Sequence, residues 1–451
     1  MSEGTSFVIV CLQHFYTPDA VFLSRHTMLL RCLSDGRRKE TVIFGLIFGV
    51  VSIVYLLLMN YTEMGSEVGT TYFEYARDLL NGSISNLNFL PGASVFMVIP
   101  KLFATTSDGY IILFVIETYV FFVIGLILAG KLAKRFEQNP YFAMLAYSVM
   151  MLVMFQFVVD RYDIFPMVFT MLAVYCFVTK RYVWVWIILC IAMMTKLYPA
   201  VLVPVFLTLL FVNKEWKNAL KGMIIFFGLV AAIVLPIMMF GSDTIFNFAE
   251  YHMNRPLQIE STAASVISFA AILGLTSVTV VYSYFSDNLI GAWPDAVSPY
   301  LTPLMIAMLV ILYIVYAHLS ARNNKRDFGN ESNRMILLGA TMFASVAIFV
   351  LVEKVFSAQY MIWLIPFVLF LLLMPLDRVL KKWITILFLA AEALTQLNYL
   401  VNIELSQGPV FDDVGMMVIL IRNIVMIALL YLVLSGVWKR FAKTDTSISE
   451  N

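Results

Sequence analysis

The chain is poor in charge, in histidine and in cysteine, and each shortage excludes something. Only 13% of its 451 residues are Asp, Glu, Lys or Arg, against roughly 25% in soluble globular domains. So little charge cannot clothe a water-facing surface of this size, which excludes a soluble globule. Four histidines are present, none with a second at helical spacing, and this argues against a His-based metal site. The four cysteines, Cys11, Cys32, Cys176 and Cys190, show neither paired nor metal-ligand spacing. Cys176 and Cys190 lie in apolar runs, where a small buried hydrophobe is sufficient explanation. A net charge of +1 offers no field for nucleic acid or for a highly acidic partner.

What the chain has instead is apolar surface. Hydrophobic residues make up 61% of it, and the mean hydropathy is +0.87. Apolar runs of roughly 17–25 residues can each cross a ~30 Å hydrocarbon core as a helix. Spans are predicted near 42–59, 110–130, 141–159, 163–179, 182–195, 198–213, 219–240, 301–319, 335–352, 359–376, 383–400 and 414–437. The fold class is therefore an all-α polytopic membrane protein of about twelve helices, some short enough to need tilt or local thinning of the bilayer.

Lys and Arg orient it. Clusters at Arg31–Lys39, Lys131–Arg135, Lys180/Arg181, Lys214–Lys221, Arg322–Arg334, Arg378–Lys382 and Lys439–Lys443 fall in alternate loops, so both termini are expected in the cytoplasm. The opposite loops hold only Arg77, Lys101, Arg161, Lys196, Arg255 and Lys354. Residues 1–40 and 441–451 then read as cytoplasmic tails around a membrane domain, 41–440. The first outer loop, 60–109, carries an amphipathic helix over Tyr72–Leu80, stopped by Asn81-Gly82. A greasier interfacial helix follows from Pro91 to Phe103. Ala263–Ser283 is apolar enough to span, but counting it would move Arg322, Lys325 and Arg326 outside. It is predicted as a re-entrant or interfacial element, broken by Gly274 and the β-branched run Thr276–Val281.

Six polar clusters share the cation-poor face. Asp160 and Asp163 flank a helix start, where an intramembrane charge is functional by default; the plainer role for Asp163 is a helix cap before Pro166. Asp160 can simply pair with Arg161. Lys196, ahead of Tyr198-Pro199, can hold a phosphate as a point charge or snorkel at the interface. Between Tyr251 and Ser261, Arg255 suits bidentate phosphate recognition, while His252 and Glu260 can bind sugar hydroxyls or orient Arg255. Glu353-Lys354 with Gln359, Tyr360 and Trp363 joins amide donors to aromatic faces; for Tyr360 and Trp363 the plainer role is the interfacial aromatic belt. Glu63 and Glu67 can act as a general base on an acceptor hydroxyl or be solvated loop acids. The sixth cluster, Asp287 to Asp295, points to no chemistry.

Four stretches carry a resemblance: Arg161-Tyr162-Asp163-Ile164-Phe165-Pro166, Lys196-Leu197-Tyr198-Pro199, Arg255-Pro256-Leu257-Gln258-Ile259-Glu260-Ser261 and Ser357-Ala358-Gln359-Tyr360-Met361-Ile362-Trp363. In order and spacing they resemble glycosyltransferase family 87, GT-C enzymes similar to the polyprenyl-phosphate-mannose-dependent α-mannosyltransferases. The resemblance implies a hexose, expected to be mannose, moved from a polyprenyl- or dolichyl-phosphate donor to a lipid or glycan acceptor on the extracytoplasmic face. It further implies an inverting displacement with a carboxylate base and no metal or other cofactor. Lys196 and Arg255 would hold the donor phosphate, with His252, Gln258 and Lys354 alongside. Glu260, Gln359 and Tyr360 would shape the sugar pocket. The family's aspartate before the paired-tyrosine helix is replaced here by Gly65-Ser66-Glu67-Val68-Gly69. That makes Glu67 the first candidate base, Glu63 the second and Asp163 the third. Likewise Leu90-Pro91-Gly92 stands where the family has Tyr-Pro-Pro.

Two other classes compete. A transporter or flippase of lipid-linked sugars predicts ionisable residues within the spans, and Glu117, Glu392 and Arg422 lie there. A catalytically silent relative within a glycan-assembly complex would tolerate the altered first loop.

Overall fold

The computed structural model describes residues 36–59, 67–82, 89–240, 250–251, 253–326, 331–405 and 413–446. Two compact units are distinguished, residues 1–54 and 55–451. The first is described only over part of helix α1 (Gly36–Met59). There Phe44 stacks on Phe48 one turn away, and the Ser52 hydroxyl donates to the Phe48 carbonyl at 2.6 Å.

The second unit is helical, with one small sheet. Its first segment, 67–101, holds a π-helical turn, Val68–Tyr72, then α2 (Phe73–Leu80) and α3 (Pro91–Lys101). Helices α4 (Ser107–Arg135), α5 (Pro140–Val153), α6 (Phe155–Val159), α7 (Ile164–Val178), α8 (Tyr182–Thr195), α9 (Leu202–Val212) and α10 (Trp216–Phe240) follow. After α11 (Thr262–Ile272) and the sheet come α12 (Ala292–Arg326), α13 (Glu331–Val352), α14 (Ile365–Leu373), α15 (Arg378–Leu405) and α16 (Asp413–Thr446). Each predicted span falls on a helix, and the protein is a multi-pass membrane protein. Five helices are long and apolar enough to cross by length and composition: α4, α10, α12, α13 and α16. The other apolar helices are shorter. Of these, α7 and α14 are sheathed by protein along nearly their whole length. Non-helical backbone at their ends is tolerable there because protein, not lipid, surrounds it.

Successive helices run up and down, so their connections sort into two ends. At one end α4, α7 and α9 close with a residue in the left-handed region: Glu137, Lys180 and Lys214. Lys180 and Arg181 donate back to the Phe177 and Cys176 carbonyls, and Lys214 and Glu215 repeat the pattern on Phe211 and Leu210. This is the Schellman closure, with lysine where glycine is usual. A cation there also complements the helix dipole. Arg135–Glu331 (2.9 Å), Asn324–Asn213 (3.0 Å) and Arg440–Asn333 (3.0 Å) cross-link the same end. At the other end lie segment 67–101, Asp160–Asp163, Lys196, residues 253–290 and Glu353–Tyr360.

Segment 263–283 is a helix followed by a strand, α11 closed at Gly274 (φ +74°) and then β2. The sheet, absent from the sequence-based reading, has the order β1 (Leu257–Gln258), β3 (Ser286–Ile290), β2 (Thr279–Ser283), all antiparallel. Its register pairs Thr279 with Ile290 and Leu257 with Leu289. Leu257 and Leu289 pack with Ala264 and Ile267 of α11. The β2–β3 turn puts both Tyr284 and Phe285 at φ +54°, the two-residue hairpin geometry that favours Asn-Gly. Aromatic side chains there are backbone outliers.

Packing of α3 positions segment 67–101 on the bundle. The Phe96 ring stacks on Phe165 of α7 at 4.3 Å and 15°, and Tyr110 donates to the Met97 carbonyl at 2.9 Å. Gly92 lies against the backbone of Met194 and Thr195, where a Cβ would fall 2.6–2.7 Å from main-chain atoms. This explains glycine after Leu90-Pro91: α3 sits directly on the end of α8, one residue before Lys196. Because the neighbour is main chain, it cannot move aside cheaply. Gly92→Ala is expected to destabilise the protein by about 1–3 kcal/mol, read as a lower melting temperature in detergent.

Candidate active site

Asp163 is the hub. As the residue before α7 it adopts helical backbone angles, yet its carboxylate makes no capping bond; the expected cap is not formed. Instead Oδ1 accepts from the Trp363 indole Nε1–H at 2.7 Å and lies 3.2 Å from Lys196 Nζ, which also donates to Oδ2 at 3.4 Å. The Asp163 side chain is wholly buried. A buried carboxylate costs several kcal/mol unless paired and hydrogen-bonded, so these partners outcompete a local N–H.

Lys196 reaches Asp163 because α8 ends there in extended backbone (φ −152°, ψ 139°). Its ammonium lies 4.3 Å from the Tyr162 ring centroid and 5.6 Å from those of Tyr360 and Trp363, an aromatic enclosure favourable to a cation. Burial acts to lower the lysine pKa, but Asp163 and the tyrosines outweigh it and hold it above its ordinary value. Tyr162 is pushed up to about 12, chiefly by burial, with Lys196 opposing. Tyr198 and Tyr360 both stack on Trp363, at 4.4 and 3.7 Å. Trp363 is therefore a buried structural partner and not part of an interfacial belt.

Beside this pair stands a second, Arg161 with Glu67. The Arg161 carboxylate partner is thus Glu67, not only Asp160 as the sequence suggested; Arg161 donates to the Asp160 backbone carbonyl at 3.2 Å. Burial would lower the Arg161 pKa, but Glu67, then Tyr72 and Asp160, raise it. Glu67 is positioned by the buried π-helical turn that begins at Val68, a device frequent at functional sites. About a third of the Glu67 side chain stays exposed.

The third pair joins Glu260 to Arg422 of α16. Arg422 Nη1 donates to Glu260 Oε2 at 2.8 Å and Nη2 to the Glu260 carbonyl at 2.6 Å, with the guanidinium 4.0 Å above the Phe356 ring. Asn423 donates to the same carbonyl at 3.3 Å and to Ser265 at 3.0 Å. Glu260 is thus bound to Arg422, not free to orient Arg255, and Arg422 is not an unpaired charge inside a span. Burial raises the Glu260 pKa, and Arg422 opposes it. Arg161 also acts on Glu260 electrostatically, so the second and third pairs share one region.

Residues 250–261 are stitched to 353–360. Gln258 accepts no substrate-facing freedom here: its amide donates to Ser357 at 3.0 Å and its backbone N–H to the Lys354 carbonyl at 3.0 Å. Lys354 donates to the Met253 carbonyl at 2.7 Å, and Thr302 donates to Glu353 at 3.0 Å. Burial lowers the Lys354 pKa, and Arg255 adds to that fall. Arg255 Nε is buried without a hydrogen-bond partner among the described residues. Ser261 caps α11, accepting from Ala264 N–H at 3.2 Å. Tyr251 donates to the Tyr284 carbonyl at 2.8 Å, tethering the strained hairpin turn near Glu67, which acts on Tyr251 electrostatically.

Glu67, Asp163, Lys196, Arg255, Gln258, Glu260, Lys354, Gln359 and Tyr360 therefore lie at one end of the bundle; Gln359 is half-buried in the 3-10 turn Ala358–Leu364. Glu63 and His252 lie outside the described residues. The third-pair arginine, Arg422, and the Trp363 hydrogen bond were missed as site features. An arginine inside an apolar run was signal enough to suspect a partner, but nothing local names Glu260 as that partner. Asp287, now on β3, has a pKa raised by burial and stays outside the three pairs.

No curated protein matches the chain. The family model described as glycosyltransferase family 87 matches residues 90–347, more than half of it. That range contains Asp163, Lys196, Arg255 and Glu260 and stops before Gln359 and Arg422. The carboxylates and cations gathered at one end of an apolar helical bundle thus belong to a membrane glycosyltransferase, and the chain is a member of glycosyltransferase family 87.

Proposed function

We propose that the protein transfers a hexose, most simply mannose, from a polyprenyl- or dolichyl-phosphate donor to a lipid or glycan acceptor on the extracytoplasmic face, with inversion. One observation carries this reading: paired carboxylates and cations of unequal exposure stand together where long lipid-facing helices end. A donor whose phosphate sits at the membrane surface can reach such a place without leaving the bilayer.

The carboxylates divide the work by burial. Asp163 is enclosed and committed to Lys196 and Trp363, so it is a positioning residue. Glu67 keeps exposed surface and can meet an acceptor hydroxyl, as a general base must. The acceptor oxygen attacks the anomeric carbon and its proton passes to Glu67. The bond from that carbon to the phosphate oxygen breaks, and its electron pair leaves with the lipid phosphate. Arg255, whose Nε donor is unused among the described residues, and Lys196, with its charge secured, stabilise the leaving phosphate. Glu260, Gln359 and Tyr360 border the sugar, and Gln258 and Lys354 keep the Arg255 loop in place. The basic loops at the opposite end favour a cytoplasmic location for that end and for both termini.

Membranes containing the protein, incubated with radiolabelled polyprenyl-phosphate mannose and cellular lipid acceptors, are expected to give labelled glycolipid. Failure with every lipid-phosphate sugar tried would sink the enzymatic reading. Glu67→Gln is expected to lower the transfer rate by about 10²–10⁴-fold while the melting temperature stays close to that of the parent. Asp163→Asn leaves Lys196 buried without its counter-charge, which costs about 3–5 kcal/mol, so stability and activity should fall together. Equal melting losses in both variants would contradict this division. Asn81, exposed at the end of α2, heads the sequon Asn81-Gly82-Ser83. In a glycosylating host it is expected to be modified; an unmodified Asn81 beside modified sites engineered near Lys180 would invert the topology.

A further inference from the structure

The end of the bundle opposite the three ion pairs contains a cavity of about 500 Å³ between the first turns of α8 and α10. Its lining is cationic and aromatic: Lys180, Arg181 and Lys221 with Tyr182, Trp184 and Trp186. None of the three cations forms an ion pair among the described residues. The nearest carboxylate, Glu215, accepts from Tyr182 at 3.3 Å and Asn218 at 2.8 Å, so the cations outnumber it. Helix α8 begins here with no side chain capping its first N–H groups, which leaves the positive end of a helix dipole facing the cavity. The indole Nε1 of Trp186 is buried, has no acceptor among the described residues and has no surface open to the cavity. It lies against Gly222, which lines the same cavity. Three cations at the mouth of one cavity, beside the uncapped start of α8, call for an anion with several acceptor oxygens.

The surroundings say where that anion comes from. Helix α10 is a membrane-crossing candidate with only 11% of its apolar window buried. Val183 and Trp184 are exposed at the cavity's rim, and on α10 Ile224, next around the helix from the lining residue Lys221, is exposed as well. An acyl chain can follow that surface while its head enters the cavity, as in basic pockets between transmembrane helices that hold lipid headgroups. We propose that this cavity binds the phosphate of an anionic membrane lipid. The site is separate from the transfer site: α8, of 14 residues, spans about 20 Å between them. It does not depend on the proposed donor, acceptor or base.

Native mass spectrometry of the full chain in neutral detergent, with equimolar phosphatidylglycerol and phosphatidylcholine, tests it. The parent protein should retain phosphatidylglycerol with a preference of roughly tenfold or more, as two or three interfacial cations would give. Arg181→Gln with Lys221→Gln should reduce that preference to near parity. Arg378→Gln with Lys382→Gln, which removes the same charge at the same end but outside the cavity, should leave it intact. Retention of the preference by the first variant, or equal loss in the second, overturns the proposal. Displacement of the lipid by excess inorganic phosphate overturns the lipid as the source of the anion. Should the double variant not fold, Lys221→Gln alone, at an exposed side chain, is expected to lose about half of the preference on a logarithmic scale, and no loss overturns the site.

Discussion

A carboxylate with no exposed surface must be matched by donors on all sides, and Asp163 is such a carboxylate. Its partners come from the end of α8 and from the 3-10 turn before α14, so one buried group fixes three distant segments against each other. Neither partner suffices alone. Lys196 supplies the counter-charge, while the Trp363 indole satisfies an oxygen that a flexible ammonium cannot hold in a fixed direction. Once Trp363 is set, Tyr198 and Tyr360 stack on it and complete the enclosure of Lys196. The segment that carries Trp363 also carries Ser357 and Lys354, which hold the Arg255 loop. From one desolvated charge the contacts run outward to most of the candidate site.

The helical, multi-pass character was legible in the sequence because lipid acts on composition residue by residue. Apolar runs and alternating basic loops report the membrane directly, and Lys180/Arg181, Lys214 and Arg135 do lie at one end of the structure. Pairing was not legible. Lys196 lies 33 residues from Asp163, and Glu260 lies 162 residues from Arg422; no spacing rule reaches that far. Local logic offered a helix cap as the plainer role for Asp163, and that bond is not formed because a cap N–H is a weaker partner than a buried ammonium. The same local logic made Arg422 a mark of transport and Trp363 a belt residue. The run Thr276–Val281 was rightly read as a break from helix, but the hairpin it enters could not be foreseen. Its turn is Tyr284-Phe285, and the strong sequence signal for such a turn is Asn-Gly.

Helix length separates two jobs that the sequence had merged. Helices that face lipid, such as α10 and α12, must satisfy the bilayer thickness by themselves. Helices α7 and α8 face protein along much of their length and are shorter, 15 and 14 residues. Ending early leaves room for extended backbone at Lys196 and for the turn before α7, both inside the membrane domain. The polar backbone of those ends is satisfied by protein groups, which lipid could not supply. Shortness in the interior is therefore what makes space for the site.

The two neighbouring ion pairs differ in what it costs to open them. Breaking a buried pair costs about 3–5 kcal/mol, whereas a solvent-exposed pair contributes about 0–1 kcal/mol. Asp163 with Lys196 belongs to the first kind, with the carboxylate wholly buried. Arg161 with Glu67 lies between the two kinds: the arginine is largely buried, while about a third of the Glu67 side chain is exposed, and that open flank is where a hydroxyl can approach. A base must be free to accept a proton at one moment and be returned to a charged partner afterwards. With Glu67 as the proposed base, the enclosed pair would keep the surroundings fixed while the more open carboxylate meets the acceptor.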